Sequence, residues 1–390
     1  MDVKRSAHAR HGMDSELTAE QAAIAATVRS LAREEVWPAA AEADETATFP
    51  EDVWDELAAA DLTGLTVPVE HGGVDADPVT AAVVNEELAG GALAVATALS
   101  VHHLATSCIA AFGTETHREE WLPEMAGGRP VGAFALSEPG AGSNPAQMET
   151  HARRDGDAYV IDGEKQWITN GQRAGVYVVF AKTDPDDPGS VTQFLVPRES
   201  PGVRPGEPED KLGLRASDTT SLELDGVRIP RENRLTAEGA GLSAALDVLT
   251  DGRIAIAAQS VGLAQAALDR TLEYVTEREQ FGGPIADIQT VRHRIAEMAT
   301  RTTAARQLVR YAARERARGD GIEAASMAKY VASETAMSVT NDAVQLHGGY
   351  GYVRDGDVER LYRDAKVTEI YEGTTQIQKT VIAREVLGDR

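Results

Sequence analysis

Cysteine is almost missing from this chain: Cys108 is the only one in 390 residues. An intramolecular disulfide is thereby excluded, as is any cysteine-built zinc or iron–sulfur site, and a reducing compartment is expected. Lysine is scarce as well. Seven of the 38 basic residues are lysine, set against 62 acidic residues, and the formal net charge is -24. A phosphate backbone is bound through clustered Lys and Arg, so a nucleic-acid partner is excluded. Acidic excess with few lysines fits a surface hydrated in high salt, and a halophilic source is one expectation. An Ala- and Arg-rich coding bias in an ordinary acidic protein is the other. Melting in low and in molar salt separates the two, because equal stability in both removes the halophilic one.

Long apolar runs are absent too. No stretch of about 18 apolar residues occurs, and Met1 to Gly12 carries basic residues without the apolar segment of a signal peptide. A soluble, cytoplasmic protein without membrane insertion is expected. G-x-S-x-G and H-E-x-x-H do not occur, which removes the simplest hydrolase and zincin chemistries. His102 and His103 are adjacent and point to different helix faces, so they form no metal pair. Gly239-Ala240-Gly241-Leu242-Ser243-Ala244 fits G-x-G-x-x-A, but no strand precedes it; it opens a long helix instead. Ser326-Met327-Ala328-Lys329 fits S-x-x-K without K-T-G or S-D-N, inside an Ala-rich helical pattern, and is read as accidental.

What is present falls into three parts. Thr18 caps a helix predicted over Ala19 to Pro38, with Ile24, Val28 and Leu31 at helical spacing; Pro50 opens another to Leu62, and Ala-rich helices follow to about Met125. From Val131 the period becomes that of strands. Tyr159-Val160-Ile161 and Gln166 to Thr169 flank Asp162-Gly163, which reads as a hairpin turn, and Val176 to Ala181 and Gln193 to Val196 are further strands. After Pro230 helical periods return. Val261, Ala264, Leu268, Leu272 and Val275 form one stripe, and Ile285 to Gly319 and Ile322 to Leu346 read as two more long helices, suggesting a bundle. The chain is long enough for two or three packed units without internal repeats.

Two segments carry candidate chemistry. Phe134-Ala135-Leu136-Ser137-Glu138-Pro139-Gly140-Ala141-Gly142-Ser143-Asn144 lies at the exit of a strand, where bare glycines and backbone amides can approach a flat ring or an anion. A tight β-turn is the other reading. Glu372 stands on a Gly-flanked turn between apolar Val367 to Tyr371 and a helix starting near Thr374. Burial there would raise its pKa above about 4.3; an exposed turn glutamate is the alternative.

Five blocks together resemble the acyl-CoA dehydrogenase family. They are Ser137-Glu138-Pro139-Gly140-Ala141-Gly142-Ser143; Trp167-Ile168-Thr169-Asn170-Gly171; Glu277 to Gly282, continuing to Pro284, Ile285 and Gln289; Gln345 to Tyr352; and Tyr371-Glu372-Gly373-Thr374. They follow the family's order and spacing over roughly residues 16–388. The resemblance implies an α+β fold: an N-terminal all-α domain over 14–130, a middle β-barrel or sandwich over 131–230, and a C-terminal four-helix bundle over 231–390. It also implies FAD. Phe134, Leu136 and Ser137, with Trp167, Ile168 and Thr169, match positions that wall the flavin ring and bond its polar edge. Thr374 and Gln376 match positions near the flavin or its adenosine, and Arg278, Phe281, Gln289, Gln345, Gly348 and Gly349 match positions that hold diphosphate and adenosine across a subunit boundary. A homo-oligomer, a tetramer or at least a dimer, is therefore implied.

Ser143, Asp251, Arg253 and Gly373 match positions near the acyl-CoA thioester or pantetheine. By the same resemblance Glu372 is the base that removes an α proton while the β hydrogen leaves as hydride to flavin N5. Electrons then pass to an electron-transferring flavoprotein. Three positions depart from the family pattern. Asn144 and Thr250 stand where Asp is common, and Gly252 occupies the alternative base position that carries Glu in the isovaleryl and long-chain branches. Ala94 to Leu99 lacks the Arg that serves a distal carboxylate in glutaryl-CoA dehydrogenases, which disfavours a dicarboxylyl substrate. Other readings on the same resemblance are an acyl-CoA oxidase and a catalytically silent acyl-thioester binding protein. The later blocks look most like short-chain and branched short-chain members.

Overall fold

The computed structural model describes residues 17–388. The expectations for Met1 to Gly12 and for the first residues of the 14–130 unit lie outside the described residues. Thr18 caps helix α1 (Ala19–Leu31) through a capping box: its hydroxyl accepts from Gln21 N–H at 3.2 Å while the Gln21 side chain accepts from Thr18 N–H at 3.0 Å. The helix does not stop at Pro38. It passes through a π-turn at Ala32–Val36 and continues as α2 (Trp37–Thr46), with Pro38 in the opening turn, where a missing N–H is tolerated. Helices α3 (Glu51–Ala59), α4 (Pro78–Gly91), α5 (Leu93–Phe112) and α6 (Glu115–Ala126) complete this part. By length and composition α5 could cross a membrane, yet almost all of it is buried inside the protein, as in a core helix.

Seven strands form one curled sheet: β1 (Val131–Ala135), β2 (His151–Asp155), β3 (Ala158–Ile168), β4 (Ala174–Lys182), β5 (Val191–Pro197), β6 (Val203–Pro205) and β7 (Thr220–Pro230). β1 runs parallel to β4, with Phe134 opposite Val178, while β5 pairs antiparallel with β4 and β7 with both β3 and β6. One predicted turn is corrected. Asp162-Gly163 lies inside a continuous β3, opposite a bulge on β7 at Asp225-Gly226, and the turn between β2 and β3 is Gly156-Asp157, flanked by the Asp155–Ala158 pair. Gly163 is there because of close packing: a Cβ on it would lie 2.4 Å from Thr150 Oγ1, and its φ of +153° suits glycine. An Asp-Gly pair also occurs at Asp155-Gly156, so the turn signal was real but attached to the wrong dipeptide.

The C-terminal part consists of α7 (Gly241–Glu277), α8 (Gln289–Ala317), α9 (Ile322–His347), α10 (Asp357–Val367) and α11 (Thr375–Leu387). α7 opens at Gly241, and Val261, Ala264, Leu268 and Val275 are buried along it. α7, α8 and α9 pack on one another, α10 and α11 pack on α9, and α4 and α5 lean on α7. Leu88, Leu99, Leu263, Met298, Val339 and Leu361 thus share one core between the two helical parts. A second core joins sheet to helices through Leu104, Leu136, Val178 and Val248. This meeting of α5, α7 and the β1 exit is where one part of the candidate residues lies, Leu136 and Arg253 among them.

Candidate active site

Glu372 is held by its backbone before its carboxylate does anything. Between α10 and α11 the chain turns through two consecutive left-handed residues, Glu372 (φ +52°) and Gly373 (φ +86°), and Thr374 then caps α11 by accepting from Ile377 N–H at 3.3 Å. A non-glycine residue in that region costs about 1–3 kcal/mol, so its surroundings must impose it. They do so through the carbonyls. Gln378 Nε2 donates to Glu372 O at 3.1 Å and to Gly373 O at 3.0 Å, and Lys329 Nζ donates to Gly373 O at 2.7 Å. Glycine is favoured at 373 by its φ of +86°, which L side chains rarely adopt, and a Cβ would also lie 2.5 Å from the Gln378 Nε2 end.

One oxygen of the carboxylate is sealed. Although Glu372 as a residue is half-buried, its Oε2 has no access to solvent and no hydrogen-bond partner. Space for it comes from Gly252 on α7: a Cβ there would come within 3.0 Å of Oε2 and 3.3 Å of Leu104 Cδ2. Burial pushes Glu372 up to about 6, against the opposing pull of Arg253 and Lys329. Arg253 is buried with an unpartnered Nε, and burial draws its own pKa down. A desolvated carboxylate that titrates near 6 is ionised at neutral pH and has a free lone pair, which is the state a general base needs.

Beside it lies a polar knot. Thr97 Oγ1 donates to Gln259 Oε1 at 3.2 Å and lies 3.3 Å from the Tyr371 hydroxyl, which donates to Gln259 Oε1 at 3.4 Å. Gln259 Nε2 donates in turn to Asn85 Oδ1 at 2.8 Å and Ala96 O at 3.1 Å. These contacts join α4, α5 and α7 to the Glu372 turn. Around them the wall is apolar, with Leu93, Ala94, Val95, Ala96, Ala98 and Leu99 all buried.

A second group surrounds the β1 exit. The Phe134 ring packs on Phe180 at 4.8 Å, and Leu136 is buried in the core that also holds Leu104. Lys165, fully buried, donates to Glu138 Oε1 at 2.7 Å and to Leu136 O at 3.3 Å, and Glu138 also accepts from Glu149 N–H (2.6 Å) and Thr150 N–H (3.1 Å). Gln166 N–H donates to Ser137 O at 2.9 Å. The loop is therefore pinned from behind, while Gly140 and Gly142 face open space and Ser143 is exposed. Trp167 stands out at 59 % exposure with φ +65°, between buried Lys165 and buried Ile168, and Thr169 is half-buried. Asn170 fixes this turn by donating to Ala98 O (2.9 Å) and Gly132 O (3.2 Å). Asp218, which burial pushes up to about 6, accepts from Gln172 N–H (2.9 Å) and Arg173 N–H (3.0 Å).

The third group is separate. Arg278, Gln345, Gly348 and Gly349 line a cavity of about 490 Å³ that includes none of the residues around Glu372, with the Arg278 guanidinium 5.8 Å from the Tyr350 ring. Phe281 is 95 % exposed, and Gln289 and Gln376 are exposed as well. Asp251 does not join Arg253. Two residues earlier on α7, it faces outward, held by Arg316 Nε and Nη2 at 2.8 Å each. His102 and His103 are taken up by the backbone, with Nε2 atoms 3.1 Å from Met125 O and 2.9 Å from Leu62 O.

Sequence reasoning missed Lys165, Asp218, Gln259, Lys329 and Gln378. Lys165 was detectable, because Tyr159, Ile161, Gly163 and Lys165 alternate along one strand face, but the misplaced turn at Asp162-Gly163 broke that period.

Known proteins resemble this chain over nearly all of its length. Family models for the acyl-CoA dehydrogenase N-terminal, middle and C-terminal domains match residues 18–129, 133–227 and 239–387. An acyl-CoA dehydrogenase of Bacillus subtilis (strain 168) is 42% identical over 375 residues, covering 95% of this chain and 99% of that protein. An acryloyl-CoA reductase (NADH) of Anaerotignum propionicum is 42% identical over 379 residues, 96% of each chain. The structure of butyryl-CoA dehydrogenase from Megasphaera elsdenii superposes with a TM-score of 0.93 at 37% identity, covering 96% of this chain and 99% of that one. With three consecutive domain matches and full-length relatives above 40% identity, this chain belongs to the acyl-CoA dehydrogenase family, a family of FAD-dependent oxidoreductases.

Proposed function

We propose that this protein desaturates short acyl-CoA thioesters between Cα and Cβ, with Glu372 as the base that takes the α proton. The observation that carries this is the sealed, unpartnered Oε2 of Glu372 on a locked left-handed turn, with Gly252 opposite it and no second carboxylate there. A thioester α carbon is a weak acid, and a desolvated carboxylate in fixed position lowers the barrier to its ionisation. Arg253, beside it, suits the polar part of the thioester. Thr97, Gln259 and Tyr371, already hydrogen-bonded to one another beside Glu372, are read as the end of the acyl site, which favours a short acyl chain.

The residues present fit FAD. An exposed Trp167, a pinned 136–138 loop with open glycines, and the Arg278 cavity offer a ring wall, a polar edge and a phosphate partner, supported by Ile168, Thr169 and Thr374. When bound, FAD supplies the acceptor for the β hydrogen, and an electron-transferring flavoprotein is the proposed onward acceptor. The acryloyl-CoA reductase relative supports the same pocket run towards the saturated thioester, with Glu372 returning the proton.

The deciding experiment is anaerobic titration of the FAD-loaded protein with straight, branched, aromatic and dicarboxylyl acyl-CoAs, read by bleaching of the yellow colour. Butyryl-CoA and its neighbours should bleach it, and hydrocarbon chains should exceed glutaryl-CoA at least tenfold in kcat/KM, about 1.4 kcal/mol, because no cation lies in the apolar 92–101 wall. No bleaching by any acyl-CoA would overturn the proposal, and peroxide formation in place of ferricenium-dependent turnover would make the protein an oxidase.

A homo-oligomer completes this reading. Phe281 at 95 % and Tyr352 at 86 % exposure flank the half-open Arg278 cavity, and bare aromatics of that size call for a covering partner, here a second copy. Arg278→Ala should weaken FAD retention by removing a charge-assisted phosphate contact, measured as flavin lost on dilution. Light scattering that finds an FAD-loaded monomer would contradict the shared site.

A further inference from the structure

Lys329 stands in a sequence pattern, S-x-x-K, that fits no hydrolase context here, and the structure gives it a different surrounding. It lies in the middle of α9, completely buried, and its Nζ donates to Gly373 O at 2.7 Å. Ser326, one turn earlier, is also buried, with a hydroxyl that has no partner. A lysine that donates to a carbonyl and faces a carboxylate cannot serve that serine as a base. A buried ammonium is costly unless compensated. Its compensation comes from the Glu372 turn: the Gly373 carbonyl, with attraction from Glu372 and Glu369.

We infer that Lys329 is a positioning residue for Glu372, which fixes the Glu372–Gly373 turn through Gly373 O and keeps the nearby carboxylate ionised by its charge. This rests on the reading of Glu372 as the base. Three elements present charged or titratable groups to Glu372: Lys329 from α9, Arg253 from α7, and Tyr371 from its own segment, while Glu369, bonded to Lys366, acts on Lys329. Arg384 from α11 acts on Arg253. Leu104 and Gly252 bring no charge. Of the two cations, Lys329 alone is bonded to the turn, whereas the Arg253 Nε is unpartnered. Burial draws Lys329 down to about 8, which leaves it cationic at neutral pH. Removing that cation makes ionised Glu372 less favourable, so the Glu372 pKa must rise.

Three variants of the FAD-loaded protein separate charge from hydrogen bonding. Lys329→Gln keeps a donor without charge, Lys329→Arg keeps both, and Lys329→Met keeps neither. Two readouts are taken: the acid limb of the kcat/KM profile against pH, and the infrared carbonyl band of the protonated Glu372 carboxyl in substrate-free protein, assigned by its absence in Glu372→Gln. In Lys329→Gln and Lys329→Met both should move to higher pH by about one unit, and Lys329→Arg should stay with the parent. Lys329→Met should in addition lose about tenfold in kcat through the loosened turn. If limb and infrared band stay in place in the Gln and Met variants, Lys329 is packing alone and the inference fails. Should Lys329→Met not fold, the Gln and Arg pair still decides it. Failure of the base assignment looks different: Glu372→Gln would keep its turnover, while in the Lys329 variants with Glu372 intact the infrared band would still move.

Discussion

Glu372→Gln lowers acyl-CoA-dependent flavin reduction by about 10,000-fold or more, while flavin content and thioester binding stay within a few fold of the parent. General-base contributions of about 100- to 10,000-fold are usual, and a carbon acid as weak as a thioester belongs at the upper end. The site offers no substitute. Gly252 stands opposite the carboxylate, Asp251 is bound to Arg316, and Asp218, whose Oδ1 is also buried and unpartnered, is held at the 170–173 turn through Oδ2 by the Gln172 and Arg173 amides. Gln fills the same volume and keeps the left-handed turn, so the loss reports the missing base and not a collapsed loop. Stopped-flow bleaching under anaerobic conditions measures it, and a loss of only a few fold would assign the proton to another group. The parent should also lose activity as pH falls through about 6, where the buried carboxyl takes up its proton.

Lys165→Met is the second large effect, on stability. Lys165 is fully buried and Glu138 nearly so, and the pair at 2.7 Å ties β3 to the 136–138 loop. Removing one partner leaves a buried charge alone, which typically costs about 3–5 kcal/mol. Burial raises the Glu138 pKa, but the Lys165 ammonium and the 149 and 150 amides more than offset it and hold the carboxyl below its usual value. A depressed carboxyl contributes stability above its unfolded pKa and loses it as pH falls through the folded one, so this contribution fades in acid below about 4.3. Urea unfolding of Lys165→Met, Glu138→Gln and the double variant measures the pair. The double should be less destabilised than the sum of the singles. A Lys165→Met variant within about 1 kcal/mol of the parent would show that the loop is held by other bonds.

Particular elements show how far sequence reasoning reached. Thr18, Thr374 and Gly241 mark helix starts because caps and openings depend on residues a few positions away, and the structure places all three as predicted. The strand period located β1, β4 and β5 but failed at Asp162-Gly163, where a glycine chosen for contact with Thr150 looked like one chosen for a turn. Pro38 misled for a similar reason: a π-turn just before it allows the chain to remain helical. Asp251 and Arg253, two positions apart on α7, looked like one site and lie on different sides of the helix, since neighbours at that spacing do not face each other.

From its sequence alone, this protein's helical and sheet parts, its family blocks and the motif that makes Glu372 the candidate base were legible, because each depends on local periodicity or on a contiguous motif. What that carboxylate can do was decided by tertiary structure. Lys329 is 43 positions from Glu372 and Gly252 is 120, and only packing of α7 and α9 around the turn brings a cation, an empty space and a sealed oxygen together. Burial, which sets both the basicity of Glu372 and the cost of leaving it unpaired, is a property of the assembled core and of no single stretch of chain.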